Sequence, residues 1–293
     1  MRPLLGSLFL VFLLGVGFSL LQMISHRPAS ARFVFGLPNR PSAGREWLLG
    51  AALGWGMVVF AVLPIALAGK LHVSLWTDLR VLRLTLISLA TIAVASLAEE
   101  IIFRGYPFRC LIDAIGPVGA TIAMSVLVGL SSAVQHGATR PGIFLAMFSG
   151  AVFCMSWLRT HGLWLAWGMR FAWAASMGVL FGLPVRGTLD YATLIQSTAM
   201  GHIWLTGGEY GPDGTNFMGF ALLLGLIVLV RATRDYAWDY AHDPIIAAGY
   251  PMDVPPPAAH AAMEQAQQAS SPALVQILPS TPQTRSVETE PKP

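Results

Sequence analysis

Five ionisable side chains stand where the sequence is otherwise uncharged for long runs: Glu99, Glu100, Arg104, His136 and Arg170. A charge inside an apolar run is costly to keep, so each is a candidate for function. Glu99 and Glu100 close one run, in the text Ala98-Glu-Glu-Ile-Ile-Phe-Arg-Gly105. On a helix Glu100 and Arg104 lie at i and i+4, one above the other, and can form a structural ion pair. Glu99 is turned about 100° from Glu100 and faces something else. Desolvation at the edge of hydrocarbon makes a carboxylate readier to take a proton, which suits a general base. His136 ends the next run and can share a water with Glu99. The plainer alternatives are a snorkelling interfacial cluster for the glutamates and arginine, and a capping or loop role for the histidine. His161, in a short loop, and His202, in an apolar stretch, carry less weight.

Other hydrolytic and metal chemistries lack their residues. There is no His-Glu-x-x-His, so a zincin is unsupported. Ser149-Gly150 lacks a glycine two positions earlier, and the runs hold no paired Asp. Cys110 and Cys154 form neither a CxxC nor a second pair, which argues against a disulfide framework or a zinc knuckle. Glu99, Glu100 and His136 are too few and too unevenly spaced to hold a tight metal, so no metal or other cofactor is expected.

The elements that must position these residues are membrane spans. Only 11% of the 293 residues are charged, against roughly 25% in a soluble domain. Hydrophobic residues make up 55%, and the mean hydropathy is +0.61. The chain therefore reads as an all-α, polytopic transmembrane bundle. A net charge of +3 gives no reason to expect a nucleic-acid partner. A span needs about 20 apolar residues. Seven runs qualify or nearly so: 3–25, 47–69, 84–98, 114–135, 141–158, 162–185 and 216–230. The stretch 191–205 is a candidate eighth, re-entrant or interfacial segment. Arg2, the first apolar run and Ala29-Ser30-Ala31 also loosely resemble a cleaved signal peptide.

Nine arginines in or near loops on one side face six Arg and Lys on the other, which puts the amino terminus outside and the carboxyl terminus in the cytoplasm. Arg104 belongs to the first group, and Arg186 to the second. Tyr236, Trp238 and Tyr240 suit a membrane-interface belt. From residue 251 onward the chain holds nine of its twenty prolines, among Gln, Ser and Thr, and reads as a disordered tail. The organisation is a two-span region 1–83, a membrane domain 84–230, a juxtamembrane segment 231–250 and the tail 251–293.

From about residue 84 to 230 this pattern resembles the CPBP intramembrane proteases, also called CAAX-protease-like or Abi proteins. Glu99, Glu100 and Arg104 match the motif Glu-Glu-x-x-x-Arg. His136 matches the second motif, Phe-x-x-x-His, although Ser132 stands where Phe is expected. The text Phe181-Gly-Leu-Pro-Val-Arg-Gly187 and Trp204-Leu-Thr-Gly-Gly208 looks like bacterial members. The resemblance implies that Glu99 and His136 activate a water for peptide-bond cleavage, in a membrane of the bacterial plasma (inner) type. It implies a membrane protein or lipidated peptide as substrate, with membrane lipid around it. A third family motif, His-x-x-x-Asn, supplies a further histidine and an oxyanion-stabilising amide. Here that position reads Arg170 and Ala174, on one helix face. Losing an oxyanion donor commonly costs about 10²–10³ in rate. Arg170 can act as a substitute electrophile, yet a guanidinium beside Glu99 also favours the ionised carboxylate and weakens it as a base. Two readings follow: an endopeptidase, or a catalytically degenerate homologue that binds a membrane protein or peptide.

Overall fold

Each of the seven apolar runs holds a helix in the computed structural model of the chain, which describes residues 2–24, 35–76, 78–188 and 195–234. They are α1 (Arg2–Ile24), α2 (Ala43–Leu67), α3 (Leu79–Arg104), α4 (Tyr106–Ala133), α5 (Arg140–Thr160), α6 (Trp164–Ala175) and α7 (Asn216–Ala232). The protein is an all-α helical membrane protein. Pro3–Ile24, Ala43–Leu67 and Arg140–Thr160 are long and apolar enough to cross a bilayer, as is Leu79–Ala133, which is α3 and α4 joined at Gly105. α7 is apolar but shorter. These helices belong to a compact unit, Met1–Asp243. The proline-rich tail, the aromatic residues 236–240 and the Ala29-Ser30-Ala31 text lie outside the described residues.

Side-chain chemistry sets the helix starts. Asp78 accepts a hydrogen bond from the Arg80 amide at the start of α3. Thr139 and Thr215 do the same for Gly142 and Met218 at α5 and α7. α4 is two segments meeting at Gly116-Pro117, where Gly116 takes φ +77° and proline has no amide to donate. The segment before this kink lies in the stretch expected to be a loop carrying Arg104 and Arg109.

α2 and α6 are packed unusually closely. Gly50 and Gly54 are spaced as Gly-x-x-x-Gly, and a Cβ there would lie 2.1 Å from the Leu165 carbonyl oxygen and 2.2 Å from that of Met169. A Cβ on Gly168 would lie 2.1 Å from the Trp47 carbonyl oxygen. Small residues allow such backbone approach where the hydrophobic effect gives helices in lipid no reason to associate. Leu165 and Met169 are buried in this interface. Arg170, one residue on, is thereby rotated toward α3. After Ala175 the helix widens into one π-helical turn, Ser176–Leu180, closed by the Phe181 amide on the Ser176 carbonyl at 2.8 Å.

Beside the helices, and beyond the all-α expectation, two short strands occur. β1 (Leu71–Leu75) pairs antiparallel with β2 (Ile195–Ala199), with Leu71 opposite Ala199 and Val73 opposite Ser197. The candidate eighth segment thus holds a strand and one helical turn, Ile203–Thr206, in its described part. Val73, Leu75, Ile195 and Ala199 share one face of this ribbon, and His72, Ser74, Gln196 and Thr198 the other, as the two-residue period requires.

Candidate functional site

α3 continues six residues past the end of its predicted run because the charges inside it are satisfied locally. Glu100 is fully buried, and its two oxygens accept hydrogen bonds of 3.0 Å from Arg104 Nη1. Arg104, also fully buried, donates from Nη2 to the Gly150 carbonyl of α5 at 3.2 Å. Arg170 of α6 donates from Nε to Glu100 Oε1 at 3.1 Å. The same guanidinium sits 4.2 Å from the centre of the Phe153 ring, and that of Arg104 5.0 Å from it. The expected Glu100–Arg104 pair is therefore present, with Arg170 as its third member.

Glu99 points to a different neighbour. Its Oε1 accepts from Arg186 Nη1 at 2.8 Å and lies 3.6 Å from Arg170 Nη1. Charges alternate along one chain: Arg104, Glu100, Arg170, Glu99, Arg186. Asp213 anchors its far end, accepting the Arg186 amide at 3.1 Å on Oδ2 and the Trp173 indole N–H at 2.8 Å on Oδ1. Burial pushes the Asp213 carboxyl up from its ordinary value, while the Arg186 guanidinium and the hydrogen bonds from the Trp173 indole and the Arg186 amide pull it back. Burial likewise raises the Tyr210 hydroxyl, which is bonded to Ser132 Oγ.

Glu99 opens onto a cavity of about 170 Å³ between α3 and α6, lined also by Ser96, Gln135, Arg170, Ala174 and Arg186. The structure thus brings Glu99, Glu100, Arg104 and Arg170 together, with Ala174 on the cavity wall. His136 is not among the lining residues. α4 stops at Ala133, and the chain turns through Val134 to Gly137, which takes φ +67°. Gln135 is left facing the cavity, while His136 Nε2 lies 3.5 Å from Glu209 Oε2, both side chains more than three-quarters exposed.

Arg186, Asp213, Tyr210 and Trp173 were not singled out from the sequence. In the sequence Arg186 reads as a loop arginine, and the sole signal for it is its place in the Phe181–Gly187 text. Arg186 bonds Glu99, and Arg104, from the opposite tally, is buried, so the charge bias loses one arginine on each side. Among the described residues no three His, Cys, Asp or Glu side chains are grouped so as to hold a metal.

Residues 81–176 match the family model for Rce1-like type II CAAX prenyl endopeptidases. This stretch is CPBP/CAAX-protease-like, as its motifs imply. It spans α3 to α6 and includes all three motif positions, and it ends before the 181–187 and 204–208 text. No curated protein and no solved structure matches the chain.

Proposed function

We propose that this protein is a CAAX-protease-like membrane protein that binds a segment of a membrane protein or lipidated polypeptide at the Glu99 cavity without hydrolysing it. One observation carries the reading: Glu99 is held by Arg186 at 2.8 Å with Arg170 at 3.6 Å, and among the described residues no histidine lines the cavity. The two guanidiniums compete with water for the carboxylate oxygens, which opposes a general-base role. Ala174 offers no donor where an oxyanion would need one, and the exposed His136 is turned to Glu209. What the cavity retains is recognition chemistry. Guanidinium, carboxylate, amide and hydroxyl groups face one space and can bond to a peptide backbone or a terminus. The tail and the arginine-rich loops are assigned to the cytoplasmic side of a plasma membrane of bacterial type.

The second reading is an endopeptidase in which Glu99 takes a proton from water and Arg170 stabilises the oxyanion. Its support is the family match and the position of Glu99, 28% exposed on an open cavity. The two readings separate in one experiment. The purified full chain is incubated with fluorescent membrane peptides, beside Glu99→Ala and Ala174→Trp, and both binding and cleavage are measured. Peptide that is bound but intact, with binding lost in Ala174→Trp, supports the first reading. Cleavage that Glu99→Ala abolishes refutes it.

A further inference from the structure

The bond from Arg186 to Glu99 is made by a hairpin tip in an uncommon backbone conformation. Val185 and Thr188 exchange both amide–carbonyl hydrogen bonds at 3.0 Å, so the two residues between them form a tight two-residue turn. Both have positive φ, +46° at Arg186 and +78° at Gly187, as in a type I′ turn. Asn, Asp and Gly adopt this conformation readily at the first central position, and arginine does not. Backbone outliers of this kind are retained where the side chain has a task. The task is visible: the guanidinium reaches Glu99 across 87 residues of sequence.

The ion-pair chain has two halves that differ in exposure. Glu100 and Arg104 are sealed from solvent, and the Arg170 side chain is 5% exposed. Arg186 and Glu99, by contrast, are 22% and 28% exposed at the cavity. A sealed ion pair cannot be exchanged without uncovering buried charge, whereas a pair touching water can release one partner and solvate the other. The hairpin is itself held by separable contacts, the Arg186 amide on Asp213 and the Gly187 amide on the Tyr210 carbonyl at 3.0 Å.

We propose that the 185–188 hairpin is an autoinhibitory latch: Arg186 occupies Glu99 as an internal ligand, and withdrawal of the tip frees the carboxylate to the cavity. The latch acts on the carboxylate's availability, so it stands whether the cavity binds or cleaves. The test is chemical labelling of the full-length protein in detergent with a water-soluble carbodiimide and glycine ethyl ester, read by mass spectrometry. The exposed Glu209 is the internal reference, and the sealed Glu46 reports unfolding. Arg186→Gly and Arg186→Asn both keep the turn geometry while removing the guanidinium. The expected result is that Glu99 labelling, relative to Glu209, rises about twofold to fivefold in both variants, the upper figure being what a partly exposed ion pair worth about 1 kcal/mol can hold back. Glu46 should stay unlabelled. Unchanged Glu99 labelling overturns the latch. So does labelling of Glu46 in both variants, because a contact the fold requires is not a releasable one.

Discussion

The two adjacent glutamates should separate structure from chemistry when each is changed to glutamine. Glu100 accepts three hydrogen bonds from two arginines, at 3.0, 3.0 and 3.1 Å, with no exposure to water. Glutamine keeps one carbonyl oxygen but points an NH₂ group at guanidinium donors, leaving the buried Arg104 without a counter-charge and Arg170 with only its 3.6 Å contact to Glu99. Breaking a buried pair by removing one partner costs about 3–5 kcal/mol. Glu99 makes one bond of 2.8 Å and a looser 3.6 Å contact while partly exposed, so Glu99→Gln should cost about 1 kcal/mol or less. At roughly 2–4 °C per kcal/mol for a chain of this size, Glu100→Gln should lower the melting temperature in detergent by about 6–20 °C. Glu99→Gln should lower it by about 4 °C at most. Ligand binding should show the opposite order, with Glu99→Gln the more damaging once the loss of folded Glu100→Gln protein is corrected for. Equal melting temperatures for the two variants, or a larger loss for Glu99→Gln, would refute the division of the ion-pair chain into a structural and a functional half.

Three further outcomes follow from other contacts. Gly54→Val places a side chain against the Met169 carbonyl, so it should destabilise by about 1–3 kcal/mol and weaken ligand binding by displacing Arg170; Gly56→Val, with nothing within 4 Å, should leave thermal stability within about 0.5 kcal/mol of wild type. Arg159 donates to the Val230 and Thr233 carbonyls and to Thr233 Oγ1, each at 3.1 Å, capping α7; Arg159→Met should speed hydrogen–deuterium exchange over residues 229–233 and leave α3 unchanged. Partial burial, then Arg40 and Arg109, hold His161 below its ordinary 6.5. The folded state thus prefers neutral imidazole, and its contribution is complete above about 6.5 and lost as pH falls below that value. His161→Asn, which tolerates the positive φ of 48°, should flatten the stability profile below pH 6.5 in a thermal-shift series.

What could be read from the sequence was what depends on short range or on the solvent. The hydrocarbon core dictates length and polarity of a span, so all seven helices were legible as apolar runs. The Glu100–Arg104 pair was legible because i and i+4 are neighbours on any helix. Arg170 was found through the motif position it fills, but its hydrogen bond goes to Glu100, with Glu99 at 3.6 Å, an allocation fixed by how closely α6 lies on α2. The β1–β2 ribbon joins segments more than a hundred residues apart, and no local pattern marks such pairing. Arg186 was hidden for the same reason. His136 was assigned to the cavity on the premise that α4 reaches it, and α4 ends three residues earlier, so Gln135 faces the cavity instead.

The replacement of a histidine by Arg170 has a consequence beyond the lost imidazole. A guanidinium stays charged in any protein environment, so it must be balanced at all times. Six groups meet that demand here: Glu99, Glu100 and Asp213 against Arg104, Arg170 and Arg186. Such a set is neutral as it stands and attracts neither cations nor anions by net charge. Selectivity must come from exchange of one bond for another. The Glu99–Arg186 contact is the member of the set that water reaches from both partners. A ligand that does not compete for it meets a filled cavity wall, and one that does must offer a hydrogen-bond donor to Glu99 or an acceptor to Arg186. Recognition and any residual chemistry therefore pass through the same 2.8 Å contact.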